Sequence, residues 1–503
     1  MAADERPYPP GDYPVVVVGS GPGGLQLSYS LTRLGIRHAL ISADSGPGGM
    51  FRKWPLYQRL LSWTKPYVPN GPGSRLFERS DWNSLIADEK ENRSLQAQHM
   101  DGTSYFPART EMEANLTDFA SRTGTVARYD CRWESTRRLD DGSGYRFALT
   151  TSDGEYRCKV AVFAVGVAEP WNPSIPGIEH AHHYADVRSP DAYAGKRIFI
   201  VGKRNSGFEL ASGLLPWAKS LALASPSPAK LSVVTKTLVG VRARYVQPFE
   251  DNAIGGGCSI IDAAIDRITK TDHELIVSLK RGADGHTFKV MADEVINATG
   301  FVAPLRDLPV LGVAVFGQNR VPAQTAWWES ASLPGIYFAG TITQGAPIVG
   351  KYGIPPNSGA VQGHRYNARI LARRIAQAEF GMNAPLTEVA QTDLAALLLD
   401  EASEGPELWH QRGYLARVVT ASADGAFHDR GVIPLTVFLD GDIDADGIAL
   451  TMEMDGTGAV FPVLYVRRGG SVMEHVLPPS DFADYGSLDH RKATEAAIES
   501  LRS

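Results

Sequence analysis

The chain has 503 residues, 43% hydrophobic and 21% charged, the composition of a globular protein long enough for about three or four domains. A net charge of -6 and a pI near 6.1 make nucleic acid and acidic membrane surfaces poor candidate partners and point to small molecules. No apolar run approaches the roughly 18 residues that span a bilayer, and the polar, Pro-rich start MAADERPYPPGDYP is no signal segment, so a cytoplasmic protein without a membrane partner is expected.

A strand, PVVVVG, is predicted from Pro14 to Gly19, followed by a glycine-rich turn, a helix LQLSYSLTRLG ending at Gly35, and a strand HALIS. This is a βαβ unit. A second unit opens at Lys196 with KRIFIVG and NSGFELASGLL, and LSVVTK from Leu231 reads as its next strand. Residues 290–375 return to strand and turn patterns, DEVINATGF and GIYFAGTI, before a helix from about Gly359 through ARILARRIAQA. From about residue 385 an Ala/Leu-rich helix, four strands (RGYLARVV, IPLTVFL, GIALTMEM and FPVLYVRR) and a closing polar helix suggest a small separate domain. The expected fold is α/β, with two interleaved Rossmann-like dinucleotide-binding domains and a small C-terminal α+β domain. The boundaries expected are 1–180 and 290–380 for the first dinucleotide, 181–289 for the second, and 385–503 for the last domain.

Gly19, Gly21 and Gly24 form G-x-G-x-x-G between strand and helix: one glycine permits the turn, one lets a pyrophosphate approach, and one lets helix and strand pack. The phosphate would lie at the helix N-terminus, where backbone N–H groups favour an anion. Gly48 and Gly49 follow the second strand, where further backbone would approach the cofactor. An acid is expected at that strand's end to bind ribose hydroxyls; Ser42 stands there instead, with Asp44 two residues on.

The second loop reads Gly202-Lys203-Arg204-Asn205-Ser206-Gly207. Arg204 replaces the middle glycine and puts a guanidinium where phosphate would lie. Lys236 ends the predicted second strand, and Arg242 and Arg244 lie nearby. Cations there suit a 2′-phosphate, so NADPH is expected over NADH; a solvated cationic face is the alternative.

The two loops, joined by AVFAVGVAEPWNPSIPG (161–177) and followed by DEVINATGF (293–301), resemble the class B flavin monooxygenase superfamily over residues 13–375. RSDWNSL (79–85), YFPARTEMEANLTDFA (105–120), LPGIYFAGT (333–341), GHRYNARIL (363–371) and FPVLYVRRGGSVMEHVLPP (461–479) resemble the FOXRED-type branch, the FAD-dependent oxidoreductase domain-containing proteins. The resemblance implies FAD contacts from the first glycine loop, Gly49 with Met50 beside it, Gly166 and Gly340, and nicotinamide contacts from Gly202 to Gly207. Two features depart from the pattern. Thr64, in LLSWTKP, stands where an asparagine is common beside the flavin, and no tryptophan accompanies His180, His182 and His183 before Gly195, so the Baeyer–Villiger fingerprint is absent. The three cysteines, Cys131, Cys158 and Cys258, form no C-x-x-C pair, which flavin disulfide reductases need.

Flavin carries the redox chemistry, so the protein must hold it, deliver hydride and control oxygen. Thr64, Trp63 and the loop residue Lys351 are the catalytic candidates, and the helix starting near Ser358-Gly359 would aim N–H groups at the reduced ring. Trp54, Tyr57, Trp63, Trp327 and Trp328 would either line a dry substrate cavity or belong to the core. No metal motif is found; the tract DGDIDADG (440–447) lacks the terminal glutamate of a calcium loop and reads as a solvated turn.

The expected reaction is NADPH-driven transfer of one oxygen atom from O2 to a nucleophilic nitrogen or sulfur of a small molecule, amine N-hydroxylation being the sharper expectation. An NAD(P)H flavin oxidase or reductase releasing peroxide, and a flavin-bearing interaction protein, are the alternatives, and a homo-oligomer stays open.

Overall fold

The structure, a computed structural model, describes residues 5–53, 59–232, 240–346, 351–383, 385–441, 443 and 445–501. It comprises two compact units: one of residues 1–52, 62–167 and 303–503, the other of residues 53–61 and 168–302.

In the first unit the β-branched run Val15–Val18 is buried on both sides, as a central parallel strand must be. Its strand, Gly11–Val18, lies between His38–Ile41 and Gly154–Phe163, parallel to both. Gly154–Phe163 pairs with Phe147–Thr151 antiparallel through its first half and with Ile336–Phe338 in parallel through its last residues, so the chain does return to this sheet. The C-terminal segment belongs to the same unit. Six antiparallel strands follow the order Thr387–Val389, Phe427–Pro434, Leu415–Ala421, Gly447–Met454, Val460–Arg468, Ser471–Val476. Alternate residues feed two cores: Val419, Ile448 and Leu464 pack with Leu394 and Ile498 of the helices Gln391–Glu404 and Leu488–Ser500, while Val418, Ala449 and Val463 meet Leu435 and Phe438 on the other face. Only Ile433 and Pro434 of the predicted strand IPLTVFL lie in a strand. Its Leu435–Leu439 portion is a helix, which covers the second face.

The second unit corrects the sequence reading at one point that matters for function. The strand following its glycine-loop helix is Ser220–Ser225, paired in parallel with Arg197–Val201; it is not LSVVTK. SLALAS lacks the β-branched residues of LSVV, and its strand identity comes from burial of Leu221, Leu223 and Ala224 between neighbours. The described second strand ends at Ser225, and Lys236, predicted to end it, lies outside the described residues. The strand Glu294–Asn297, read as part of the returning first domain, pairs with Arg197–Val201 in this unit.

Candidate functional site

Each unit builds its glycine loop from the same two close approaches. In the first, Gly19 adopts φ +109°, and a Cβ on it would stand 2.6 Å from the Ala164 carbonyl oxygen; a Cβ on Gly24 would stand 1.8 Å from the Gly19 oxygen. In the second, Gly202 at φ +114° faces the Ala298 oxygen at 2.7 Å, and Gly207 faces the Gly202 oxygen at 2.4 Å. These four glycines close strand, turn and helix on one another.

The middle position differs in kind. A Cβ on Gly21 would meet nothing nearer than the Gly49 Cα at 3.9 Å, and one on Gly49, at φ +57°, would lie 3.0 Å from the Gly21 Cα. Protein packing does not require Gly21; its bare backbone and that of Gly49 leave room between them. The helix Pro22–Arg33 begins there with no side-chain cap and no acid in its first turn, so its first N–H groups remain for an anion. This cradle fits a dinucleotide pyrophosphate.

Ser42 holds the loop. Its Oγ accepts from Ser20 Oγ at 2.8 Å and from the Asp44 N–H at 3.2 Å, and Asp44 is half-buried beyond it. Met50 lies in the short turn Gly49–Arg52. Gly166, at φ +68°, follows the strand Gly154–Phe163 with open space where a Cβ would point.

In the second cradle, Arg204 is exposed immediately before the helix Asn205–Leu214, which likewise has no capping side chain or early acid. Lys203 points elsewhere: its buried Nζ pairs with Asp262 of the strand Cys258–Lys270. Asn205 donates to the Gly240 carbonyl at 3.2 Å and accepts from the Arg242 N–H at 3.1 Å, bringing Arg242 to the loop. Ser206 occupies the first helical turn. Arg244 donates to the Leu60 carbonyl at 3.1 Å.

Thr64 is buried in a polar knot. Its hydroxyl donates to Asp81 Oδ1 at 2.8 Å and accepts from Asn83 Nδ2 at 3.1 Å, and Asn83 Oδ1 takes the Ser62 hydroxyl at 2.5 Å. Trp63 lies against Trp82, ring centroids 3.7 Å apart. The knot brings together motifs that are distant in sequence. Arg365, fully buried, donates to the carbonyls of Ser84 at 2.7 Å and Glu78 at 3.0 Å, and Asn115 donates to the Asn83 carbonyl at 3.2 Å. Segments 79–85, 105–120 and 363–371 thus form one buried assembly. Lys351 sits at the surface paired with Glu474, which raises its pKa and keeps it cationic. Trp328 is fully buried and edge-on to Tyr414 at 5.8 Å, a core position; Trp54 and Tyr57 lie outside the described residues.

Two contacts escaped sequence reasoning. A Cβ on Gly23 would lie 2.2 Å from the Gly340 Cα, so the first helix and the segment after Ile336–Phe338 touch backbone to backbone; the doubled glycine in GPGG was the available sign. Ser358, in the turn before the helix Val361–Phe380, is held with Asn367 by Gln411, which donates to Ser358 Oγ at 3.1 Å and to Asn367 Oδ1 at 2.5 Å. No local pattern announces Gln411.

Residues 16–340 match the family model described as pyridine nucleotide-disulphide oxidoreductase. The chain belongs to the pyridine nucleotide-disulphide oxidoreductase family. It is thus an oxidoreductase, and FAD and NADP(H), expected from its two glycine loops, suit this family. It is 26% identical over 450 residues to the mouse FAD-dependent oxidoreductase domain-containing protein 2, a match covering 83% of this chain and 65% of that relative's length; the branch resemblance read from the motifs is met there. The oxidoreductase fold is shared with bacillithiol disulfide reductase Bdr (YpdA) from Staphylococcus aureus at 14% identity and TM-score 0.56, and with the flavin-containing monooxygenase from Stenotrophomonas maltophilia at 20% and 0.54. Each match covers 73% of this chain and 98% of the solved one. Among the described residues no helix is long and apolar enough to cross a membrane, and no group of three metal-ligating side chains is found.

Proposed function

We propose that the chain is an FAD-dependent monooxygenase that uses NADPH and O2 to place one oxygen atom on a nucleophilic nitrogen or sulfur of a small molecule, with amine N-hydroxylation as the specific reaction. The observation that carries this reading is a pair of nucleotide cradles without a usable thiol. Cys131, Cys158 and Cys258 are buried and unpaired, and burial pushes all three thiols up, Cys258 to about 12. A thiol so raised offers no thiolate to relay electrons; a small acceptor fits better than a disulfide.

When bound, FAD supplies hydride acceptance and the reaction with oxygen. Gly21 and Gly49 leave the space for its pyrophosphate, and the first turn of Pro22–Arg33 donates to it. Arg204 and Arg242 supply cations for the NADPH phosphates, and no acid at Ser225 competes for a ribose hydroxyl. Thr64 and Trp63 would border the flavin, the hydroxyl fixed by Asp81 and Asn83; Lys351, held cationic, would contribute charge and no base.

The test is turnover with isotopically labelled O2 and a panel of amines and thioethers. Labelled oxygen in a product, with NADPH consumed in equal amount, is the expected result. Peroxide equal to NADPH consumed with every compound would overturn it in favour of a flavin oxidase, a reading that Thr64 favours by standing where the resemblance calls for asparagine.

A further inference from the structure

Within the first unit a cavity of about 330 Å³ is lined by Arg75, Arg93, Arg369, Arg373, Arg417 and Glu407. It opens where the helix Val361–Phe380 meets the short helix Pro406–His410 and the strands Leu415–Ala421 and Phe427–Pro434. None of these residues takes part in either cradle.

The guanidiniums are unequally matched. Arg75 bonds Glu401 at 2.6 and 3.0 Å and Glu407 at 2.9 Å; Arg417 reaches Glu401 at 3.2 Å and Asp429 Oδ1 at 2.8 Å. Those two are satisfied. Arg93 stands 3.4 Å from Glu78, a carboxyl whose pKa burial raises, and the Arg93 Nε is buried without an acceptor. Arg369 is 3.8 Å from Asp88, beyond hydrogen-bond length. Arg373 is exposed and has no ion-pair or hydrogen-bond partner among the described residues; partial desolvation and the charge of Arg369 pull its pKa down against the carboxylates of Glu407 and Asp88.

Arg369 and Arg373 also stand four apart on one helix, where like charges repel. A concave site whose lining carries five arginines against the single carboxylate Glu407 suits an anion, since the planar fork of arginine matches phosphate oxygens in pairs. Its volume falls in the range of small-molecule sites.

We propose that this cavity binds a small phosphate-bearing molecule, held chiefly by Arg93, Arg369 and Arg373. It is independent of the reaction at the flavin.

The probe is inorganic pyrophosphate, titrated by calorimetry into the full-length protein as purified, with ionic strength held constant by chloride. Because pyrophosphate also suits the second cradle, the same titration is run on Arg204→Gln. Saturable binding that survives Arg204→Gln and weakens about tenfold or more in Arg373→Gln is expected. Arg373→Gln removes no ion pair or hydrogen bond among the described residues and relieves the repulsion from Arg369, so its unliganded melting temperature should not fall below the wild type's. Arg369→Gln should weaken binding likewise. Binding that vanishes in Arg204→Gln, binding unchanged in Arg373→Gln, or no binding beyond that of chloride would overturn the proposal.

Discussion

The α-carbons of Gly23 and Gly340 meet across the first cradle so closely that a Cβ on Gly23 would lie 2.2 Å from the Gly340 Cα and 2.3 Å from its nitrogen. Backbone cannot give way as a flexible side chain can, so Gly23→Ala must separate helix from strand. We expect a loss of about 1–3 kcal/mol or more, read as a lower urea midpoint of the apoprotein, together with loss of flavin. An apoprotein of unchanged stability would show that the two segments do not pack in this way.

Gly21→Val separates binding from folding. The Cβ of the new side chain meets only the Gly49 Cα, at 3.9 Å, and its methyl groups project into the cradle. The apoprotein should unfold close to the wild-type midpoint, while the flavin absorbance of the purified protein falls to near zero. Full flavin retention would refute the cradle.

Lys203 and Arg204 are neighbours with different tasks. Lys203→Ala strips a partner from Asp262, whose side chain is 53% exposed, so water recovers much of the interaction and the cost should be about 1–2 kcal/mol in stability. Arg204→Ala should leave stability alone and raise KM for NADPH about tenfold, the worth of one charge-assisted hydrogen bond, and more than it raises KM for NADH. Equal effects on both nucleotides would remove Arg204 from the 2′-phosphate.

Glu209, in the helix after the second loop, has its pKa raised to about 7 by burial, the Tyr184 hydroxyl at 2.6 Å and Arg244 acting in the opposite direction. The folded acid keeps its proton where the unfolded one, at 4.5, has lost it. Its contribution is therefore full below pH about 4.5 and is lost as pH rises through about 7, at most about 3 kcal/mol. Urea unfolding at about pH 5 and about pH 8 should show this decline in the wild type and a flatter profile in Glu209→Gln. Parallel profiles would mean that Glu209 is charged in the folded protein.

What the sequence determined by itself is whatever depends on a few consecutive residues. Gly19, Gly21 and Gly24 were legible because strand, tight turn and helix follow one another within about a dozen positions and only glycine meets the backbone demands there. Gly202 and Gly207 repeat the pattern. The tertiary structure decided what depends on a partner far along the chain. SLALAS is a strand because it lies between Arg197–Val201 and Cys258–Lys270, whereas the stronger β-formers of LSVVTK drew the sequence reading, since propensity yields to packing. Lys203 and Arg204 are adjacent, yet Asp262 captures one charge and leaves the other at the loop. Trp328 is core because Tyr414 covers it, and Gln411 reaches Ser358 across 53 residues of chain. Hydrogen bonds and buried contacts are made in space, and composition or periodicity carries no record of which distant residues will make them.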